Sequence, residues 1–202
     1  MKKFVIVLLL LFIFTSNIAH STIEYSYKQY VKHNIYRALD LVDSEKIKRQ
    51  WNKKNIDKLA TVLIAAENHT DINHKHLLAT ILTESDMKIN CVPRKRNKNR
   101  TIDYGLVQQN SKYLKIRYRS AKKLLRRSGI KYTDNIFDIS VNVMSGAIVL
   151  RDYRSIMKSR GVKDRFAPVA AYNVGPSGFF KKKLASKKRA YLHRYKRFLT
   201  KL

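Results

Sequence analysis

Apolar residues recur along this chain with the period of a helix rather than a strand. Between residues 25 and 50, Tyr30, Ile35, Leu39, Leu41 and Val42 stand among charges, which predicts one amphipathic helix or two. Leu59, Val62, Leu63 and Ala66 share a face of a helix expected over 57–67. After a break at His69-Thr70-Asp71, the residues Leu77, Leu78, Ile81 and Leu82 predict a second helix over 73–85, with Asn73 as its N-cap. Residues 88–103 lose the pattern. Pro93 and the run Arg94-Lys95-Arg96-Asn97-Lys98-Asn99-Arg100 predict an exposed loop with a small β-hairpin. Helical spacing returns at 111–127, stops near Gly129, and resumes over 136–159 and 164–172, before a turn at Gly175-Pro176-Ser177-Gly178. No internal repeat is present, and with 6 Gly and 3 Pro in 202 residues the helices run long. The pattern predicts one mainly α domain with an irregular or β element near its middle.

The first residues follow a different rule. Lys2 and Lys3 precede an unbroken apolar run from Phe4 to Phe14, and Ala19-His20-Ser21 offers small residues for cleavage. This is the layout of a secretory signal peptide over 1–21, and the run is shorter than the roughly 20 residues of a membrane span. An uncleaved membrane anchor is the alternative. The chain is divided accordingly: a helical extension over 22–55, a domain over 56–178, and a basic aromatic tail over 179–202.

Charge changes the expected partners. Against 14 Asp and Glu stand 43 Lys and Arg, a net of +29. Such a surface attracts polyanions: anionic wall polymers, lipid headgroups or nucleic acid. In the tail, Phe179, Phe180, Tyr191, Tyr195 and Phe198 alternate with Lys and Arg, which favours a wall or membrane surface over simple solubility, with nucleic acid ranked below both. Cys91 is the sole cysteine, so no internal disulfide forms, and it is expected to be an unpaired thiol. His69, His74 and His76 do not converge at metal-ligand spacing, so neither metal nor cofactor is expected.

Acids are scarce, which makes each informative. The four Glu are at 24, 45, 67 and 84. Leu77, Ile81 and Glu84 share one helix face, so Glu84 ends an apolar stripe. Partial burial raises a carboxyl pKa, as a glycosidic acid requires. On spacing alone, a solvated helix-end Glu is the commoner explanation.

Four segments shift that balance. Leu78-Ala79-Thr80-Ile81-Leu82-Thr83-Glu84-Ser85 resembles the "AI…ES" signature of the soluble lytic transglycosylase family. Thr101-Ile102-Asp103-Tyr104-Gly105-Leu106-Val107-Gln108-Gln109-Asn110-Ser111 resembles its "GLMQIN" motif. Asn142-Val143-Met144-Ser145-Gly146-Ala147 with Leu150 resembles "NI..GA..L", and Ala170-Ala171-Tyr172-Asn173-Val174-Gly175 resembles "AYNxG". They occur in family order and span about 60–178. The loop leading into the second motif is especially similar to that of small transglycosylases accompanying type III and type IV secretion systems, and related domains occur in phage virion and lysis proteins.

The resemblance implies a lysozyme-like fold, mainly α, with a small irregular or β element and a basic C-terminal helix. It implies Glu84 as the catalytic residue and Ser85, Gln108, Tyr172 and Asn173 as substrate-binding residues. Gly105, Gly146 and Gly175 match its structural glycines. Val107 stands where the family has Met, and Gln109 where it has Ile. Of the two possible second carboxylates, Asp86 points off the Glu84 face and Asp103 is expected to cap the glycine turn, which leaves one-carboxylate chemistry. The implied reaction is cleavage of the MurNAc–GlcNAc bond of exported peptidoglycan with 1,6-anhydromuramyl ends. A hydrolytic muramidase and a non-enzymatic cationic wall- or membrane-binding protein are the alternatives. Expected partners are peptidoglycan strands, then anionic wall polymers or a membrane surface, and a secretion-system or phage assembly. The expected place is the periplasm or cell wall, free or tethered to the inner membrane.

Overall fold

The computed structural model describes residues 22–94, 96–97, 100–181 and 185–202. The signal-peptide expectation falls on 1–21, outside the described residues. Among these residues no helix is long and apolar enough to cross a membrane.

Helix α1 (22–40) buries Val31, Ile35, Ala38 and Leu39 at helical spacing. It docks through polar contacts as well. Tyr27 donates to Glu67 Oε2 at 2.6 Å, and the Asn34 amide meets His74 Nε2 at 3.1 Å inside the core. The short α2 (Glu45–Lys48) leads to α3 (Lys53–Thr70), capped by Asn52, which accepts from the Asn55 N–H. α3 ends at Asp71 and α4 (His74–Ser85) ends at Asp86, each a left-handed C-cap. Asn73 caps α4 through Lys75 N, as its sequence position predicts.

The expected hairpin is real but minimal. β1 (Asp103–Tyr104) pairs antiparallel with β2 (Gln109–Asn110), flanking a turn at Gly105. Beyond it lie α5 (Leu114–Arg127), α6 (Ile139–Ser159), α7 (Ala167–Val174), the one-turn α8 (Pro176–Phe179) and α9 (Ala185–Leu199). Residues 175–178, expected as a turn, therefore start a helical turn after Gly175 at φ +74°.

α6 organises the core. Every residue from Ile139 to Leu150 is buried, so this N-terminal part of the helix is enclosed on all sides, by α3, α5 and α7 among others. Asp138 caps its N-terminus through Val141 N and also pairs with Lys58 of α3 at 2.8 Å. α9 lies against α4 and α7. Tyr195 and Phe198, placed in a tail by the sequence reading, are buried core residues here. His76 of α4 meets the Tyr195 hydroxyl at 2.5 Å. The three clustered histidines go separate ways: His69 bonds Ser128, His74 meets Glu67 and Asn34, and His76 meets Tyr195.

Candidate active site

The hairpin turn is locked to α6 by one side chain. Asn142 is fully buried. Its Oδ1 accepts from Val107 N at 3.0 Å, and its Nδ2 donates to Tyr104 O at 3.1 Å and to the Tyr118 hydroxyl at 3.0 Å. Gly105 sits directly over it at φ +77°, where a Cβ would come within 2.4 Å of Asn142 Nδ2. One turn along α6, Gly146 leaves room for Val107, since a Cβ there would meet the valine side chain at 2.9 Å. Asn142 and Gly146 thus act as a pair, one holding the loop and the other letting it approach.

That loop forms a wall of a cleft of about 450 Å³ whose other wall includes the end of α4. Glu84, Asp103, Gln108, Arg117, Tyr153, Tyr172, Asn173 and Lys187 line it. Leu77 and Ile81 are fully buried, so Glu84 ends an apolar stripe and is itself half-buried at the edge of the cleft. Burial pushes its pKa up to about 7, and the negative Asp103 adds to the rise. One hydrogen bond opposes it: the Tyr191 hydroxyl of α9 donates to Glu84 Oε1 at 2.5 Å. Burial and the Glu84 charge hold the Tyr191 phenol far above its ordinary value, so it stays a donor. A carboxyl poised near neutrality in a sugar-sized cleft can give a proton and take one back.

The transglycosylase SLT domain family model matches residues 61–194. The chain belongs to this family. The match runs from inside α3 to near the end of α9, so it takes in Glu84, the cleft loop and Tyr191. No curated protein and no solved structure matches the chain. A mainly α, lysozyme-like architecture with a two-stranded sheet is what this SLT domain shows, and the family acts on peptidoglycan as lytic transglycosylases.

Within this SLT domain, four of the five residues expected to act share the cleft: Glu84, Gln108, Tyr172 and Asn173. Gln108 adopts a left-handed backbone at φ +47°. Its amide nitrogen is bound by the carbonyls of Gly105 at 2.8 Å and Cys91 at 3.2 Å, which fixes the side chain against the wall. Asn173 Oδ1 is buried with no hydrogen-bond partner among the described residues. A buried acceptor left unsatisfied is costly unless a ligand supplies a donor. The Tyr172 hydroxyl donates to Val107 O at 2.7 Å and accepts from Gln109 Nε2 at 2.8 Å, while Tyr191 holds the Glu84 carboxyl. Ser85 is not brought to the cleft. It is buried, and its hydroxyl donates to Ile81 O at 3.0 Å.

Residues to which the sequence assigned no part in the site also stand in or beside it. Gln109, polar where the family has Ile, is fully buried yet satisfied at both ends, by Tyr172 and by Arg117 Nη1 at 3.0 Å. Asp103 does not cap the turn; Asn97 and Asn110 amides hold its carboxylate at 3.0 and 2.7 Å in the cleft wall. Asp86 pairs with Arg194 at 2.6 Å outside the cleft. Burial pushes the Cys91 thiol up, so it stays protonated and poorly nucleophilic.

Proposed function

We propose that this SLT domain cleaves the β-1,4 bond between N-acetylmuramic acid and N-acetylglucosamine in exported peptidoglycan, leaving 1,6-anhydromuramyl ends. The observation that carries this reading is the Glu84 carboxyl, raised to about 7 by burial in the cleft and held by a single phenol donor. Protonated Glu84 gives its proton to the bridging O4 as the C1–O4 bond breaks, and the leaving N-acetylglucosamine departs as an alcohol. Positive charge develops at C1 and is shared with the acetamido oxygen of the muramyl residue. Glu84, now a carboxylate, takes the proton from the C6 hydroxyl, and O6 closes onto C1. The acid is restored and no water is consumed.

Asp103 in the cleft wall favours a second reading, hydrolysis by a two-carboxylate muramidase. Two asparagine amides already engage its oxygens, which weakens it as a base or nucleophile. Product mass separates the two readings, because anhydro ends lack one water. Glu84→Gln should retain binding to peptidoglycan and lose cleavage; an active Glu84→Gln chain would rule out the assignment.

A further inference from the structure

Arg117 stands in the cleft wall as a half-buried cation for which the described residues provide no carboxylate. The acids nearby are engaged elsewhere: Glu84 with Tyr191, and Asp103 with Asn97 and Asn110. Partial burial of a guanidinium without a counter-charge is unfavourable. Even so, the fold holds it firmly. Nη1 donates to Gln109 Oε1 at 3.0 Å, and Gln109 is anchored through the Tyr172 hydroxyl to Val107 O. The Tyr113 ring lies 5.1 Å from the guanidinium carbon, and Tyr153 stands beside it in the cleft wall, close enough to feel its charge. Three hydrogen bonds in series therefore tie to the core a fork whose remaining N–H groups are not matched by any acid among the described residues. A planar, braced guanidinium is suited to two parallel hydrogen bonds from a carboxylate.

The geometry points to Arg117 as a carboxylate-recognition site that selects muramyl strands by the acid carried on their C3 substituent. This rests on the glycan-cleaving reading above. The carboxylate has two possible sources, the lactyl group itself where the peptide has been removed, and the stem peptide where it is retained.

The test compares peptide-bearing strands with denuded strands whose lactyl acids are free, each before and after carbodiimide amidation of the carboxylates. Amidation removes the charge with little change of shape. For the unmutated chain, amidating the recognised strand should raise KM about tenfold with kcat nearly constant, as expected for a lost charge-assisted bond. The strand type that responds identifies the source. Arg117→Met should show the high KM from the outset and no further response to amidation, and Arg117→Lys should fall between. If amidation leaves KM unchanged on both strand types, or Arg117→Met responds as the unmutated chain does, the inference is overturned. The amidation arm needs no variant to fold. Cleavage without charge dependence sinks the Arg117 inference alone. Absence of cleavage sinks the transglycosylase reading, and calorimetric binding of the same four strands to the unmutated chain then decides Arg117 independently.

Discussion

The Tyr191 hydroxyl of α9 reaches Glu84 Oε1 of α4 at 2.5 Å across 107 positions of sequence. That contact makes Tyr191 a positioning residue with a pH signature. Its hydrogen bond favours the carboxylate, so Tyr191→Phe should raise the Glu84 pKa further. In the proposed mechanism Glu84 must be protonated for the first step, so the rate of the unmutated chain should fall above about pH 7. In Tyr191→Phe the alkaline limb should move to higher pH, with kcat at its optimum down about tenfold from lost orientation. An unshifted limb would mean that the phenol only packs.

The same carboxyl sets a dependence of stability on pH. An ordinary Glu titrates near 4.5, and Glu84 in the folded chain near 7. Between these values the folded state keeps a proton that the unfolded state has released. Stability must therefore fall as pH rises through this window, by at most about 3 kcal/mol, less where rim water screens the group. Glu84→Gln can still accept from Tyr191 and has nothing to titrate. Urea unfolding should show it gaining on the unmutated chain between pH 4.5 and pH 8, with no gain below. A constant difference across that range would contradict a buried, protonated Glu84.

The helices were legible because burial on one face imposes their period, and Asn73 announced the start of α4 through ordinary capping chemistry. Glu84, Gln108, Tyr172 and Asn173 were found by motif, and each lines the cleft. Tyr191 was missed for a specific reason. Dense Lys and Arg over 181–197 point to a basic tail facing a wall or membrane surface, yet Tyr191, Tyr195 and Phe198 keep the 0, +4, +7 spacing of a packed face. Charge density masked periodicity. Gln109 stands out in the sequence only as a polar residue where the family has Ile, because a sequence does not show that Tyr172 of α7 and Arg117 of α5 converge on it. The sequence assigns Asp103 to the turn because it does not show that two amides converge on its carboxylate, Asn110 from the opposite strand and Asn97 from the loop before β1.

Asn142 and Gly105 give a structural prediction at the cleft loop. Asn142→Ala removes three buried hydrogen bonds and leaves Val107 N without its partner. A loss of about 3 kcal/mol is expected, together with most of the activity, because the loop carries Gln108. Gly105→Ala combines a left-handed backbone with a 2.4 Å clash against the Asn142 amide and should cost at least as much. Thermal unfolding measures both. A Gly105→Ala chain of unchanged stability would show that the loop is not seated on Asn142.

The start of α6 links this loop to acid sensitivity. Burial works against the Asp138 carboxylate, but the Lys58 ammonium and the N–H groups of Thr133 and Val141 outweigh it and hold its pKa below the usual range. A depressed carboxyl stabilises the fold at pH values above its unfolded pKa, and that contribution disappears as pH falls through the folded value. Asp138→Asn keeps a capping oxygen for Val141 N but leaves the half-buried Lys58 charge unpaired. At pH 7 it should be less stable by about 2 kcal/mol, and the gap should close as acid protonates Asp138 in the unmutated chain. Asn142 lies one turn beyond this cap, so fraying at Asp138 should loosen the cleft loop first. Hydrogen exchange in Asp138→Asn at pH 7 should therefore rise at Val107 N before it rises at the amides of α3; uniform exchange would separate the cap from the cleft.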